Sequence, residues 1–135
     1  MQHIVRNTTT LLTQTSKSKF IHTSSVLRDI FTIQDTNDFK KRVLQSDTPV
    51  LVDFYADWCA PCKNLTPRLE KIVSFHGTKL HLAKVNVDQH TDLAMEYDVT
   101  AVPAIVGMNK GVIVDRVIGL QDDDKLTTFA KRVME

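Results

Sequence analysis

Apolar positions along this chain follow two periods. From Val50 to Ala56 they run unbroken except at Asp53, and Leu80 to Val87 forms a second long stretch of the same kind. Runs of this length, rich in β-branched and aromatic residues, predict strands covered on both faces. Elsewhere the spacing is helical. Phe39, Val43 and Leu44 follow a cap at Asp35 or Thr36; Leu65, Leu69, Ile72 and Val73 mark a second helix; Leu126, Phe129, Ala130 and Val133 fall at i, i+3, i+4 and i+7 of a last one. Pro67 inside the second helix predicts a kink, and Gly77 ends the pattern. Asp29 to Ile33 reads as a short first strand, and Thr91 to Tyr97 as a short helix. Pro103 opens a strand through Val106, and Asn109-Lys110-Gly111 is a turn into Val112–Val117, so these two strands form an antiparallel hairpin. The order βαβαβαββα predicts one α/β domain with a mixed sheet. Asp122, Asp123 and Asp124 open the last helix, where carboxylates suit the dipole better than they suggest a metal site.

Composition divides the chain in two. Residues 1–28 contain Arg6, Lys17, Lys19 and Arg28, ten hydroxyl residues and no acid. Of 17 basic residues this leaves 13 for residues 29–135, against all 16 acidic ones, a net charge of −3. A basic, Ser/Thr-rich, acid-free leader predicts an organellar transit peptide, disordered and cleaved near residues 25–29. Ile4, Val5, Leu11 and Leu12 share one helical face. No apolar run in the leader exceeds two residues, which excludes a secretory signal and a membrane span. A mitochondrial (matrix) address is expected, with a chloroplast one the less favoured alternative. A mildly acidic domain without a basic stripe argues against nucleic acid as its partner.

The chemistry concentrates in Trp58-Cys59-Ala60-Pro61-Cys62-Lys63, which holds both cysteines of the protein. A Cys-x-x-Cys pair where a strand passes into a helix puts the first sulfur at the helix N-terminus. Unpaired N–H groups and the helix dipole there stabilise a thiolate. The second sulfur lies one turn on, close enough to close a small disulfide ring. Zinc usually takes four ligands, and His76, His81 and His90 lie on separate predicted elements, so no metal is expected. A structural disulfide closing so short a loop stabilises little. Redox chemistry fits the pair best. Asp53 is costly to bury in an apolar strand, and burial raises its pKa; on an edge strand it would simply face water.

These residues resemble the thioredoxin family, and with the leader its mitochondrial members. The resemblance rests on Val52-Asp53-Phe54-Tyr55-Ala56, Trp58-Cys59-Ala60-Pro61-Cys62-Lys63, Ala83-Lys84-Val85-Asn86-Val87-Asp88, Val102-Pro103 and Gly119, and covers residues 29–135. It implies an α/β thioredoxin fold, a five-stranded mixed β-sheet flanked by four helices. It also implies a protein-disulfide reductase and dithiol electron carrier with no bound cofactor, working through a redox-active disulfide. Electrons would come from NADPH via thioredoxin reductase. Client proteins would carry disulfides, with peroxiredoxin and methionine sulfoxide reductase as examples, and the protein would be a monomer. Cys59 is then the nucleophile and Cys62 the resolving thiol. Asp53 is the proton acceptor for Cys62, and Lys84 is the partner of Asp53. Trp58, Ala60, Pro61, Val102, Pro103 and Gly119, together with Tyr55 and Ala104, would form the docking surface, with a cis Val102-Pro103 bond.

The chain departs from the family pattern at Ala60, where glycine is usual. Alanine restricts the backbone of the active-site turn, which affects tuning and leaves the catalytic groups in place. Two further classes of function compete. A binding module with the same fold would leave the thiols incidental. An oxidase or isomerase of an oxidising compartment often has His between the cysteines, where this chain has Ala60-Pro61.

Overall fold

The computed structural model describes residues 29–135; the expected transit segment, residues 1–28, lies outside the described residues. The strands are β1 (Ile30–Thr32), β2 (Val50–Tyr55), β3 (His81–Asn86), β4 (Ala104–Asn109) and β5 (Val112–Ile118). Helix α1 (Thr36–Phe39) continues as a wider π-helical stretch, Lys40–Leu44. It is followed by α2 (Ala60–His76), a 3-10 turn at Gly77–Lys79, α3 (Thr91–Glu96) and α4 (Asp123–Met134). These are the five strands and four helices expected, in the expected order. Among the described residues no helix is long and apolar enough to cross a membrane.

The sheet order is β1-β3-β2-β4-β5. β3 runs parallel to β1 and β2, while β4 is antiparallel to β2 and β5. β2 is therefore the middle strand, which is why its residues are buried on both sides. Alternation along β2 sorts its side chains. Val50, Val52 and Phe54 join Phe39, Val43, Leu93 and Tyr97 under α1 and α3. Leu51 joins Leu65, Leu69, Val73, Phe129 and Val133 under α2 and α4. Asp53, two residues beyond Leu51, shares the α2 face by the same alternation.

Local chemistry explains the element ends. Asp35 caps α1 by accepting from the Asp38 N–H at 2.8 Å, and Asp122 caps α4 by accepting from Lys125 N–H at 2.8 Å. The β4–β5 turn uses Lys110 and Gly111 with φ of 51° and 77°, two positive angles that match the twist of a tight hairpin. The structure moves several bounds. β4 runs on to Asn109, and Gly107 within it lacks the side chain that would collide with Val133 of α4. The first strand is one residue shorter at each end than Asp29–Ile33. Helix α2 spans Ala60–His76 with Pro67 inside it and Gly77 as its cap, as the sequence pattern predicts.

Candidate active site

The loop after β2 delivers Cys59 to the N-cap position of α2. The Cys59 N–H donates to Ala56 O at 3.2 Å, and the Cys59 backbone is extended, with φ −88° and ψ 105°. The Cys62 N–H donates to Cys59 Sγ at 3.2 Å, so the sulfur does what a serine or aspartate oxygen does at other helix starts. Ala60 and Pro61 form the exposed first turn, where a proline costs no helical hydrogen bond. Cys59 and Cys62 form a disulfide with their Cα atoms 5.3 Å apart. Both are almost fully buried, 4% and 2% exposed, so a partner disulfide has to be pressed against the surface around them.

That surface comes from three other segments. Trp58, next to Cys59 in the chain, is 71% exposed and donates its indole N–H to Asp88 Oδ2 at 2.9 Å, which fixes the orientation of the ring. Val102 packs against the cluster of Ala56, Cys59 and Cys62, and the Val102-Pro103 bond is cis. Pro103 O accepts from the Gly119 N–H at 2.8 Å, so the start of β4 and the end of β5 are tied together at the site. Among the described residues, Val102 makes no backbone hydrogen bond outside the sheet ladders.

One buried carboxylate, Asp53, sits in the middle strand of the sheet. In register, Asp53 of β2 faces Lys84 on one side and Ile105 on the other. Asp53 is completely buried. Its Oδ2 accepts from Thr66 Oγ1 at 2.7 Å, while Oδ1 has no protein partner. Burial pushes the Asp53 carboxyl up from 3.8 to about 6, and Thr66 and Lys84 only partly offset that push. The Lys84 ammonium binds Glu70 Oε1 at 3.2 Å, and it acts on Asp53 through its field. Thr66 and Glu70 were not singled out from the sequence, and Asp88 entered there only as the end of the Ala83–Asp88 motif, with no role. Cys62, Thr66 and Glu70 are spaced i, i+4 and i+8, so one helical face already aligned the first two of them with the resolving sulfur.

A cleft of about 500 Å³ opens beside Cys62, lined by Tyr55, Asp57, Lys63 and Thr66. A larger groove of about 670 Å³ lies between α2 and α4, around Ile72 and Phe75, and includes neither cysteine. The arrangement can accept a thiol proton beneath a helix-capped sulfur and present an apolar rim to another protein's disulfide.

Comparison with known proteins points the same way. The family profile described as Thioredoxin matches residues 29–132. "Thioredoxin, mitochondrial" of Bos taurus is 49% identical over 119 residues, which span 88% of this chain and 72% of that one. "Probable thioredoxin-2" of Caenorhabditis elegans is 39% identical over 120 residues, spanning 89% and 83%. Among solved structures, a point mutant of thioredoxin from Halobacterium salinarum NRC-1 matches with a TM-score of 0.71. It is 36% identical, over 79% of this chain and 92% of that one. Malassezia sympodialis thioredoxin gives 0.70 at 34% identity, over 77% and 90%.

Proposed function

The chain belongs to the thioredoxin family and is a dithiol protein-disulfide reductase, and from that premise we propose how its residues divide the work. The family implies thioredoxin reductase as electron donor and disulfide-bearing proteins as clients. Cys59 is the nucleophile. The observation that carries this assignment is the Cys62 N–H donated to Cys59 Sγ at the head of a helix of 17 residues. Aligned peptide dipoles and an N–H aimed at the sulfur favour its thiolate over its thiol once the pair is reduced.

The Cys59 thiolate attacks a client disulfide, forming a mixed disulfide and expelling one client sulfur. Cys62 gives up its proton to Asp53 and attacks Cys59 Sγ, releasing the second client sulfur and closing the Cys59–Cys62 bond. Asp53 suits the acceptor role because a carboxyl titrating at about 6 holds a proton briefly near neutral pH and returns it. Lys84, anchored by Glu70, keeps a positive charge near the carboxylate as it forms. Trp58, Ala60, Pro61, Val102, Pro103 and Gly119 supply the docking surface, and the backbone of Val102 pairs with an extended client segment. Residues 1–28 act as a leader to the mitochondrial matrix, a reading supported by their composition and by the mitochondrial relatives. Peroxiredoxins and methionine sulfoxide reductases are the proposed clients.

Cys62→Ser tests the division of roles. It should accumulate covalent client adducts on Cys59 that reductant releases, while Cys59→Ser forms none. Adducts on Cys59→Ser, or full multiple-turnover insulin reduction by Cys62→Ser, would overturn the assignment.

A further inference from the structure

Asp53 lies on the α2 face of the sheet with very little polar company. Lys84 gives its ammonium to Glu70 at 3.2 Å, and β4 offers Ile105 as the register neighbour. Among the described residues, one side-chain group alone hydrogen-bonds the Asp53 carboxylate, the Thr66 hydroxyl, at 2.7 Å. The same threonine lines the cleft beside Cys62 and stands four residues after it on α2, one turn along the same helical face. Thr66 thus touches the buried carboxylate and borders the space next to the resolving thiol.

We infer that Thr66 is a positioning residue for the resolving step. Its hydroxyl orients the Asp53 carboxylate and favours the ionised form, so that Asp53 is ready to receive the Cys62 proton. In that step the Cys62 sulfur bonds to Cys59 Sγ as its proton passes to Asp53. The bond between Cys59 and the client sulfur breaks, and the client leaves as a thiolate. Two electrons have then moved from the protein dithiol to the client disulfide, and Asp53 returns its proton to solvent through the cleft. The inference rests on the reading of Asp53 as acceptor given above. The charged or titratable groups around Asp53 are Lys84 from β3 and Glu70 from α2, with Asp57, Lys63, Tyr55 and Cys62 on the cleft. A change at Thr66 alters none of them.

Thr66→Val keeps the branched shape and removes the hydroxyl, leaving the carboxylate without its donor and harder to ionise. The reduced full-length protein is mixed with 5,5′-dithiobis(2-nitrobenzoate) in a stopped-flow instrument. The first thionitrobenzoate released reports attack by Cys59, and the second reports resolution by Cys62. In Thr66→Val the acid limb of the second phase should move up by about one pH unit, roughly a tenfold loss of rate on that limb. The first phase should be unchanged, and Thr66→Ser should restore the wild-type profile. If Thr66→Val does not fold, Thr66→Ala carries the same expectation. Asp53→Asn is the control. If Asp53→Asn abolishes the acid limb while Thr66→Val superposes on wild type, the inference about Thr66 fails alone. If the acid limb survives Asp53→Asn, the acceptor reading fails and takes the inference with it.

Discussion

Replacing Asp53 by asparagine removes a buried charge, keeps the volume and leaves an oxygen for Thr66 to donate to. The folded carboxyl titrates at about 6 and its ordinary value is 3.8, burial being the main cause. The folded state therefore holds this proton more tightly than the unfolded chain does. Stability contributed by the protonated form is fully present below the lower value and lost as the pH rises through the higher one. At about 1.36 kcal/mol for each pH unit between the two values, ionisation of Asp53 costs about 3 kcal/mol at neutral pH. Asparagine has no such titration. Its own penalty comes from an amide placed where Asp53 Oδ1 finds no protein partner, and it is the same at every pH. The pH dependence of the difference between the two proteins thus isolates the charge. Urea unfolding of both oxidised proteins from acid to neutral pH should show the variant gaining about 3 kcal/mol on wild type. With a urea slope of roughly 1–3 kcal/mol per molar, the midpoints should move relative to one another by about 1–3 M. A gap constant with pH, or one that moves in the wild type's favour as pH rises, would refute the reasoning. It would mean that Asp53 is not held as a costly carboxylate and has no reason to exchange a proton near neutrality.

Gly107→Ala places a Cβ against Val133 and within 3.1 Å of the Phe129 ring. It should cost roughly 1–3 kcal/mol in a urea titration while leaving insulin reduction by the folded protein intact, and a wild-type midpoint would contradict the packing argument. Asp88→Ala releases the Trp58 indole from its 2.9 Å hydrogen bond. It should raise KM for insulin by about fivefold, a loss of about 1 kcal/mol, with kcat nearly unchanged. An unchanged KM would show that the orientation of Trp58 does not matter to docking.

Much of this architecture is legible in the chain because burial leaves a mark on residue type. β2 and β3 read as strands since both their faces are covered, and α4 reads as a helix since Leu126, Phe129, Ala130 and Val133 form one fully buried stripe. The Asn109-Lys110-Gly111 turn announced its hairpin through Gly111, which takes positive φ without strain, while Lys110 beside it adopts φ of 51° against its preference. The cysteine pair was visible because its spacing is chemical rather than conformational. Contacts between distant segments left weaker traces. The end of β4 was obscured by Gly107, a residue poor in strand propensity that is there to admit α4. The Thr66 contact to Asp53 spans 13 residues and becomes meaningful only once strand parity turns Asp53 toward α2. Lys84 stood opposite Asp53 in the sheet, yet Glu70 on the covering helix takes its ammonium, a competition that neither strand records. Trp58 and Asp88 are 30 residues apart and meet because they follow parallel neighbouring strands that finish at the same end of the sheet.

The most direct test of the account is the alkylation of the fully reduced protein by iodoacetamide as a function of pH, with the adducts assigned to each cysteine by peptide mass spectrometry. Cys59 should be modified first, and its rate should level off at a lower pH than that of free cysteine measured alongside, because the head of α2 holds it as a thiolate. A Cys59 rate that climbs with pH in step with free cysteine, or that trails the rate at Cys62, would contradict the claim on which the chemistry depends.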